Sequence, residues 1–404
     1  MLRRLLKKEN LYIRIAIGFC IGIILGLFLP ELAIETKMIG TIYLKIIKYM
    51  VVPILICAVS TAMLNSAGIV SLRRVGAKTI LLYIVMFLFS FAVTFGAAMI
   101  IRPGLNINFE NKPVYEGAVG GTISFSSILK GLIPKDIVSF FSAGNVVAAI
   151  ILAMVFSIII IAMGEKGSTV KAFMNKASDA MFFILGIVME ISPLGVMSLV
   201  AVSIAEYGTG IFMAIGKYII CAWVSCALVF VIVFLIPVRL YAGVDIRSFL
   251  RACGKIALMT LSTTSSAATL PTTIRVSIDD LGAPESISKF TLPIGCTINM
   301  CGGAVSFCCL AVFVSDFYSL NLPIAQLALM AIVATLLNMA APGIPGGGVV
   351  LMTSYLSIFN LPLDLIGPIA AVYRLLDMAY TTINVEGDVA ANLIISKSEG
   401  LYAQ

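Results

Sequence analysis

The feature that most constrains this chain is a series of long apolar runs without a charged side chain. Residues 79–101 and 137–164 contain no Asp, Glu, Lys or Arg. Each run exceeds the roughly 20 residues that an α-helix needs to cross a bilayer. The chain is 60% hydrophobic and only 12% charged, whereas a soluble domain is about a quarter charged. The sequence therefore predicts an all-α polytopic membrane protein whose immediate environment is the lipid bilayer.

The net charge of +7 comes largely from short basic clusters between the predicted spans. One cluster lies at 3–8 and another at 73–78, and basic loops of this kind face the cytoplasm. We therefore expect a protein of the cell inner (plasma) membrane with a cytoplasmic N-terminus and no nucleic-acid partner. The first apolar run lacks an A-x-A-like cleavage site, so we interpret it as a retained helix and not as a signal peptide.

The composition excludes several kinds of chemistry. The chain has no histidine, which removes histidine-based acid–base catalysis and histidine-ligated zinc. Its nine cysteines include no C-x-x-C pair, and most lie in apolar runs, where cysteine behaves as a small hydrophobic residue. We expect no enzyme activity and no prosthetic cofactor.

The two halves of the chain differ in their pattern. The first half predicts six spanning helices, at about 11–30, 41–68, 78–101, 124–164, 171–203 and 209–240. In the second half the uncharged stretch 317–363 is too long for one span, and its centre at 341–348 reads APGIPGGG, which cannot continue a helix. This pattern predicts a re-entrant hairpin whose tip is buried in protein or lines a cavity. Two full spans joined by a surface turn are the alternative.

A second break lies upstream, at 261–273, where eight of the residues are Ser or Thr. Their hydroxyl groups can hydrogen-bond freed backbone groups and a polar ligand. Each break is followed by an apolar helix that carries an asparagine, Asn299 in one case and Asn384 in the other. A broken hairpin followed by a polar helix, occurring twice, is typical of a transporter with inverted repeats and a site at mid-membrane.

The last predicted helix, at about 365–397, carries a polar stripe. Asp377, Thr381, Asn384 and Asp388 are spaced at i, i+4, i+7 and i+11, which places them on one face. Carboxylates within a membrane are costly and are therefore hypotheses for a functional site. Oxygen groups of this kind suit a hard cation or an ammonium group. A stripe that faces a water-filled vestibule is the alternative interpretation.

Four blocks of sequence resemble the dicarboxylate/amino acid:cation symporter family, the glutamate-transporter-like proteins. The blocks are TSSAATLP at 264–271, LPIGCTINM at 292–300, PGIPGGG at 342–348 and DMAYTTINVEGD at 377–388. In order they resemble the tip of the family's first hairpin, its seventh helix, the tip of its second hairpin and its eighth helix. The resemblance implies eight transmembrane helices plus two re-entrant helical hairpins, arranged as inverted repeats in a homotrimeric, elevator-type transporter.

The resemblance also implies a division of the chain. Residues 1–245 would be mostly scaffold and trimerisation helices, except that helix 3 (about 76–101) and helix 6 (about 209–240) would pack with the transport domain. Residues 246–398 would form the transport core. Its parts would be hairpin 1 at about 247–275, helix 7 at about 285–314, hairpin 2 at about 322–358 and helix 8 at about 363–397.

Carried over residue by residue, the resemblance implies a substrate site between the hairpin tips and the last helix. Asp377 would bind the amino group of the substrate and Asn384 its α-carboxylate, while Tyr380 and Gly303 would shape the side-chain pocket. The expected contacts are Ser265, Ser266, Gly303, Ile344, Gly346, Gly348, Asp377, Tyr380, Thr381 and Asn384.

The resemblance further implies two sodium sites. The first would combine backbone groups with one carboxylate, from Gly295, Asn299, Asn384 and Asp388. The second would use backbone carbonyls of Thr297, Asn338, Met339 and Ala341. The coupling ion is expected to be Na⁺, with H⁺ as the alternative.

The sequence departs from the family at a third sodium site. The family's aspartate and threonine on helix 7 correspond here to Cys301 and Gly303. Aligning helix 3 on 91–94 puts apolar residues at the three remaining positions, namely Val85, Leu88 and Phe89. We therefore expect this third site to be missing.

The sequence also departs from the family at the arginine that grips an acidic substrate. Tyr380 replaces that arginine, and Thr264 stands at the other position where relatives place one. Arg374 lies about 120° away from Tyr380 around the helix and is expected to be a poor substitute. These losses favour cation-coupled import of a neutral amino acid. An acidic amino acid or C4-dicarboxylate is the alternative substrate, and an uncoupled channel or orphan membrane scaffold is the alternative of another class.

Overall fold

The computed structural model describes residues 11–66, 73–105, 146–320, 323–339 and 347–402, and its regular structure in these ranges is helical. In chain order the helices are α1 (Leu11–Phe28), α2 (Pro30–Glu35), α3 (Lys37–Ser66), α4 (Arg73–Ile101), α5 (Val146–Ala162), α6 (Ser168–Tyr207), α7 (Gly210–Val229), α8 (Ile246–Thr263), α9 (Ser266–Arg275), α10 (Glu285–Ile298), α11 (Cys301–Phe317), α12 (Ile324–Met339), α13 (Gly347–Ile358) and α14 (Ile366–Ser398). Short 3₁₀ or π segments follow α5, α7 and α9.

The helices form two packing groups. In the first group α1 and α3 pack along α6, and α3 also packs on α5. In the second group α4 and α7 pack on α11 and α14, which are in turn surrounded by α8, α9, α10, α12 and α13. Helices α4 and α7 therefore pack where the resemblance puts helices 3 and 6. The division into a scaffold and a moving core stays a prediction.

Glycine lets α1 approach α6 closely. Gly18, Gly22 and Gly26 are spaced four residues apart on one face of α1, and each lies against backbone of α6. A methyl group at Gly22 would stand 2.5 Å from the carbonyl oxygen of Met197. Small residues at this spacing allow helices in membranes to pack backbone to backbone.

Two pairs of short helices reverse the chain direction, as the sequence predicts for the hairpins. Hairpin 1 consists of α8 and α9, and Lys255 on the first arm pairs with Asp280 after the second, at 2.8 Å. Hairpin 2 consists of α12 and α13, and the hydroxyl of Tyr355 donates to the carbonyl of Met330 at 3.4 Å. The tip of hairpin 2, at 340–346, lies outside the described residues.

The lengths of these arms favour re-entrant hairpins over pairs of full spans. Helix α9 has 10 residues and α13 has 12, which correspond to about 15 and 18 Å of helix. The hydrocarbon core of a bilayer is about 30 Å thick. These lengths agree with re-entrant hairpins, which stay a prediction.

The predicted helix 7 is not continuous. Helix α10 ends at Ile298 and α11 begins at Cys301, because Asn299 and Met300 between them have extended backbone. The prediction of one helix over about 285–314 is therefore wrong at this point. The break is possible because neighbouring side chains hydrogen-bond the backbone groups that it frees.

Only some of the described helices are both long enough and apolar enough to cross a membrane. Three are long and apolar enough, namely Arg74–Ile101, Gly210–Ala242 and Glu285–Phe317, the last including the break. A fourth is added if the bent pair Gly164–Val188 and Glu190–Glu206 is one span. Several apolar helices thus agree with a membrane protein, and the number of eight spans stays a prediction.

An ion pair ties the end of α14 to the start of α4. Lys78 hydrogen-bonds the Glu399 carboxylate, which follows the last turn of α14, and its Nζ lies 3.5 Å from the Ser398 carbonyl. This hydrogen bond holds the pKa of Glu399 below its ordinary value. A cation at this position also interacts favourably with the negative end of the α14 dipole.

We predict that Gly22→Leu destabilises the first packing group. The new side chain meets backbone of α6, which cannot move aside as a side chain can, and overpacking of this kind costs about 1–3 kcal/mol. The measurement is the thermal unfolding temperature of the purified protein in detergent. Gly186→Leu is the control on α6, since a Cβ at Gly186 has nothing within 4 Å. Equal unfolding temperatures for the two variants would contradict this packing.

Candidate functional site

A cavity opens within the second packing group, where hairpin 1, hairpin 2, the break between α10 and α11, and α14 meet. The centre of a water-sized sphere can occupy about 60 Å³ of it, which is room for several water molecules. Seven of the ten residues predicted to contact substrate line it, namely Ser266, Gly303, Gly348, Asp377, Tyr380, Thr381 and Asn384.

The three other predicted contacts have different outcomes. Ser265 is not among the lining residues, and its side chain caps the N-terminus of α9 by accepting a hydrogen bond from Ala268 N–H at 3.3 Å. A hydroxyl that accepts in this way can still donate, and the substrate contact at Ser265 stays a prediction. Ile344 and Gly346 lie outside the described residues.

Asp377 places a carboxylate in the wall of the cavity. Only 9% of this residue is exposed, and the hydroxyl of Tyr373, one turn earlier on α14, is its hydrogen-bond partner. The same hydroxyl lies against Gly348 of hairpin 2, where a Cβ would overlap it. A carboxylate with so little water around it favours a cationic ligand, either an ammonium group or a metal ion.

Asn384 connects the cavity to the broken helix. Its Oδ1 accepts a hydrogen bond from the backbone N–H of Gly302 at 2.8 Å, which satisfies one of the free N–H groups at the start of α11. Among the described residues none accepts a hydrogen bond from its Nδ2 group, and Asn384 lies at the cavity wall. An amide donor at this position suits a carboxylate ligand.

Asp388 is buried behind the cavity without a cation. It is 2% exposed, and Asn299 Nδ2 donates to its Oδ1 at 2.8 Å. A Cβ on Gly295 would overlap the same oxygen and would lie 2.6 Å from the hydroxyl of Tyr83. In the part of the chain that the structure describes, no Lys or Arg forms an ion pair with Asp388.

These residues fit a hard monovalent cation. A buried carboxylate is strongly unfavourable without a counter-charge. At the end of α10 the carbonyl of Gly295 accepts from the N–H of Asn299 at 2.9 Å, and the carbonyl groups after it lie beyond the last helical hydrogen bond. Oxygen ligands of this kind suit Na⁺. Among the described residues no cluster of three or more Cys, Asp or Glu gathers as a transition-metal site would require. The structure thus brings together all four residues predicted for the first sodium site, and their role stays a prediction.

The second predicted sodium site is only partly described. The last turns of α10 and α12, which carry Thr297, Asn338 and Met339, approach one another. Carbonyl groups at the ends of two helices give a partly negative environment. The side chain of Asn338 has a further role, because its Nδ2 donates to the carbonyl of Met300 at 2.9 Å. Ala341 lies outside the described residues.

The helix 3 alignment at the third sodium site is wrong. The positions that it identifies on α4 face away from the site, with exposed fractions of 39%, 39% and 60% for Val85, Leu88 and Phe89. Tyr83 is the residue of α4 that reaches Asp388, and its hydroxyl donates to the Thr291 carbonyl at 2.9 Å. The buried face of α4 carries hydroxyl groups at helical spacing, a signal that the alignment did not use. They belong to Thr79, Tyr83, Ser90 and Thr94. The other departure still holds, because Cys301 on α11 stands where the resemblance implies an aspartate.

Arg374 reaches further than the sequence suggests. Its guanidinium donates to the hydroxyl of Thr264 and, at 3.0 Å, to the carbonyl of Ser262. Thr264 lines the cavity, so the positive charge lies at the tip of hairpin 1, next to the cavity wall. The expectation that Arg374 lies too far around the helix therefore needs correction.

Residues 11–398 match the model of the Sodium:dicarboxylate symporter family. The chain belongs to this family. It is a cation-coupled symporter of the membrane and not an enzyme, as the sequence predicts.

The sequence of this symporter is similar to those of known transport proteins over nearly its whole length. It is 28% identical to the "Proton/sodium-glutamate symport protein" of Geobacillus stearothermophilus over 98% of this chain and 96% of that protein. The protein of the same name from Bacillus subtilis (strain 168) is 27% identical over 98% and 94%. The "C4-dicarboxylate transport protein" of Erwinia tasmaniensis is 26% identical over 97% and 94%.

Sequence reasoning missed several residues of this symporter's site. Tyr373 continues the polar stripe one turn before Asp377, so the helical spacing could have found it. Asn338 was predicted only for its backbone, whereas its side chain bonds the break. Tyr83 shares one face of α4 with Thr79 and Ser90, so helical spacing could have found it as well.

We predict that Asp388→Asn removes sodium binding by the symporter. Sodium at ten times its Kd should stabilise the wild type by about 1.4 kcal/mol, seen as a higher unfolding temperature in NaCl than in choline chloride. The variant should lose this difference because the neutral amide cannot compensate the charge of the ion. Glu386→Gln is the control, since Glu386 is also buried on α14, at 6% exposure, and is not bonded to Asn299. If Asp388→Asn keeps the full sodium effect, the assignment of the first site is wrong.

Proposed function

We propose that this symporter imports a small neutral amino acid together with a cation, which is Na⁺ or, as the alternative, H⁺. The observation that carries the proposal is the pairing of Asp377 with Asn384 in one cavity. A carboxylate suits the ammonium group of an amino acid, and an amide donor suits its α-carboxylate. The two residues lie on the same face of α14, so a ligand between them can contact both side chains.

The carboxylate of Asp377 argues against a C4-dicarboxylate. Such a substrate carries two negative charges and no ammonium group, so it would bring like charges together in a site with little water. The cavity disfavours a dicarboxylate in two ways: Asp377 repels its negative charge, and no positively charged group among the described lining residues pairs with it. An amino acid is therefore the better substrate, although one relative is named for dicarboxylates.

The cavity wall favours a neutral side chain over an acidic one. Among the described residues that line it, none is Lys or Arg, and Tyr380 stands at the position where the family resemblance implies an arginine. The second candidate is an acidic amino acid such as glutamate. It is favoured by the names of two relatives and by Arg374, whose guanidinium bonds Thr264 at the cavity wall.

Coupling is proposed to act through the break between α10 and α11. Asn299 on the break bonds Asp388, and Gly302 after it bonds Asn384. A cation at Asp388 would compensate the buried charge and fix both ends of the break, which also positions the amide that meets the substrate. Each ligand then favours the conformation that the other needs, and this is the requirement for thermodynamic coupling.

Four further features are proposed from the family resemblance. They are a homotrimeric assembly, a location in the cell inner membrane with a cytoplasmic N-terminus, eight spans in all, and elevator movement of a core at 246–398 against the remaining helices. The packing of α4 and α7 on α11 and α14 supports the composition of that core.

Uptake into proteoliposomes tests the function. An inward sodium gradient should drive serine, threonine or alanine to an internal concentration above the external one. Asp377→Asn should weaken binding about 100-fold or more, because removing one partner of a buried ion pair costs about 3–5 kcal/mol. Asp364→Asn, on an exposed acid just before α14, is the control and should transport normally. Downhill leakage alone would indicate a channel, and absence of any flux a scaffold.

Arg374→Ala separates the two candidate substrates. If the substrate is neutral, the variant should keep the affinity of the wild type to within about threefold, because a neutral side chain offers the guanidinium no charged partner. If the substrate is acidic, removal of a charged partner should weaken binding about 10-fold or more. Competition of labelled substrate with glutamate, aspartate, serine and alanine measures both. If the wild type binds glutamate tightly and Arg374→Ala does not, the substrate is an acidic amino acid and the proposal of a neutral one is wrong.

A further inference from the structure

The first arm of hairpin 1 has an outer face that no other helix of the described chain covers. Helix α8 packs on α9 and α14 through the side that carries Phe249, Cys253 and Ile256, which are all buried. On the outer side Leu250 is 45% exposed and Leu258 is 75% exposed. In a membrane protein an apolar face of this kind is in contact with lipid.

The outer face of α8 is basic at its start and apolar toward the hairpin tip. Arg247, Arg251, Gly254 and Leu258 are spaced at i, i+4, i+7 and i+11, which places them on one side of the helix. Both arginines are exposed, and a Cβ at Gly254 would have nothing within 4 Å. The stretch from Arg247 to Leu258 covers about 17 Å of helix, which is close to half of the roughly 30 Å hydrocarbon core.

The positive charge on this face is not compensated within the protein. Among the described residues no acid forms an ion pair with either arginine. The nearby carboxylate of Asp245 caps α8 by accepting from the N–H of Ser248 at 3.1 Å. Lys255 lies on the flank of the face and differs from the arginines, because it pairs with Asp280 at 2.8 Å. The two arginines can therefore pair with an anion from outside the protein.

We propose that the outer face of α8 binds an anionic phospholipid. Arg247 and Arg251 pair with the phosphate of the headgroup, for which the planar guanidinium is well suited. One acyl chain lies in the open space at Gly254 and against the side chain of Leu258. The order of the face supports a lipid over a soluble phosphate, which would use the arginines and leave the apolar half uncovered.

Native mass spectrometry of the protein in mild detergent tests the proposal. The probes are phosphatidylglycerol and phosphatidylcholine with the same acyl chains. The wild type should bind the anionic lipid about 25-fold more tightly, because each basic residue near an anionic lipid contributes about fivefold. Arg247→Gln combined with Arg251→Gln should reduce this preference to less than about threefold and leave the affinity for phosphatidylcholine unchanged.

Lys166→Gln combined with Lys176→Gln is the matched control. Both lysines are exposed in the first packing group, so this variant loses the same charge away from α8 and should keep the wild-type preference. Leu258→Asn tests the apolar half of the face and should weaken both lipids by about fivefold, because it removes an apolar contact that both make. The unfolding temperature of each variant shows whether it is folded.

Four results would overturn the proposal. Two of them are equal binding of the two lipids by the wild type and a preference that survives the loss of both arginines. Glycerol phosphate that displaces the anionic lipid at an equal concentration would assign the arginines to a soluble anion. A disulfide between two copies of the Leu258→Cys variant would assign the face to a second copy of the chain. None of these results depends on the transported substrate, so the proposed function is tested separately.

Discussion

The break between α10 and α11 is the constraint on which the rest of the site depends. A helix interrupted within a membrane protein leaves backbone N–H and C=O groups without water or helical partners. Here the side chain of Asn384 accepts from the N–H of Gly302, and that of Asn338 donates to the C=O of Met300. These hydrogen bonds hold three separate elements in one arrangement, namely α14, hairpin 2 and the broken helix. Loss of either bond would leave a buried backbone group without a partner.

The same arrangement puts a cation site and a substrate site on adjacent turns of α14. Asp388 bonds Asn299 on one end of the break, and Asn384 bonds Gly302 on the other. A buried carboxylate is stable only when its charge is compensated, so the conformation that forms the substrate site is favoured when a cation is present. Coupling then needs no long pathway, because both ligands act on one short non-helical segment.

The sequence predicts those parts of this arrangement that have a strong local signal. The stripe from Asp377 to Asp388 follows from the helical period, and the arms of hairpin 2 follow from the prolines and glycines at 341–348. The break at 299–300 was missed, because Ile298, Asn299 and Met300 include neither glycine nor proline. The buried face of α4 was assigned wrongly because the alignment used 91–94 and not the hydroxyl groups at helical spacing on Thr79, Tyr83 and Ser90, which are all buried.

The most direct test of coupling is the affinity of the purified wild-type protein for its amino acid, measured by calorimetry over a range of sodium concentrations at constant ionic strength and at two pH values. Linkage requires that each ligand change the affinity for the other by the same factor. With one coupled sodium ion, Kd should fall about tenfold for each tenfold increase in sodium below saturation. A Kd that changes with neither sodium nor pH would show that the buried carboxylate and the substrate site are not coupled.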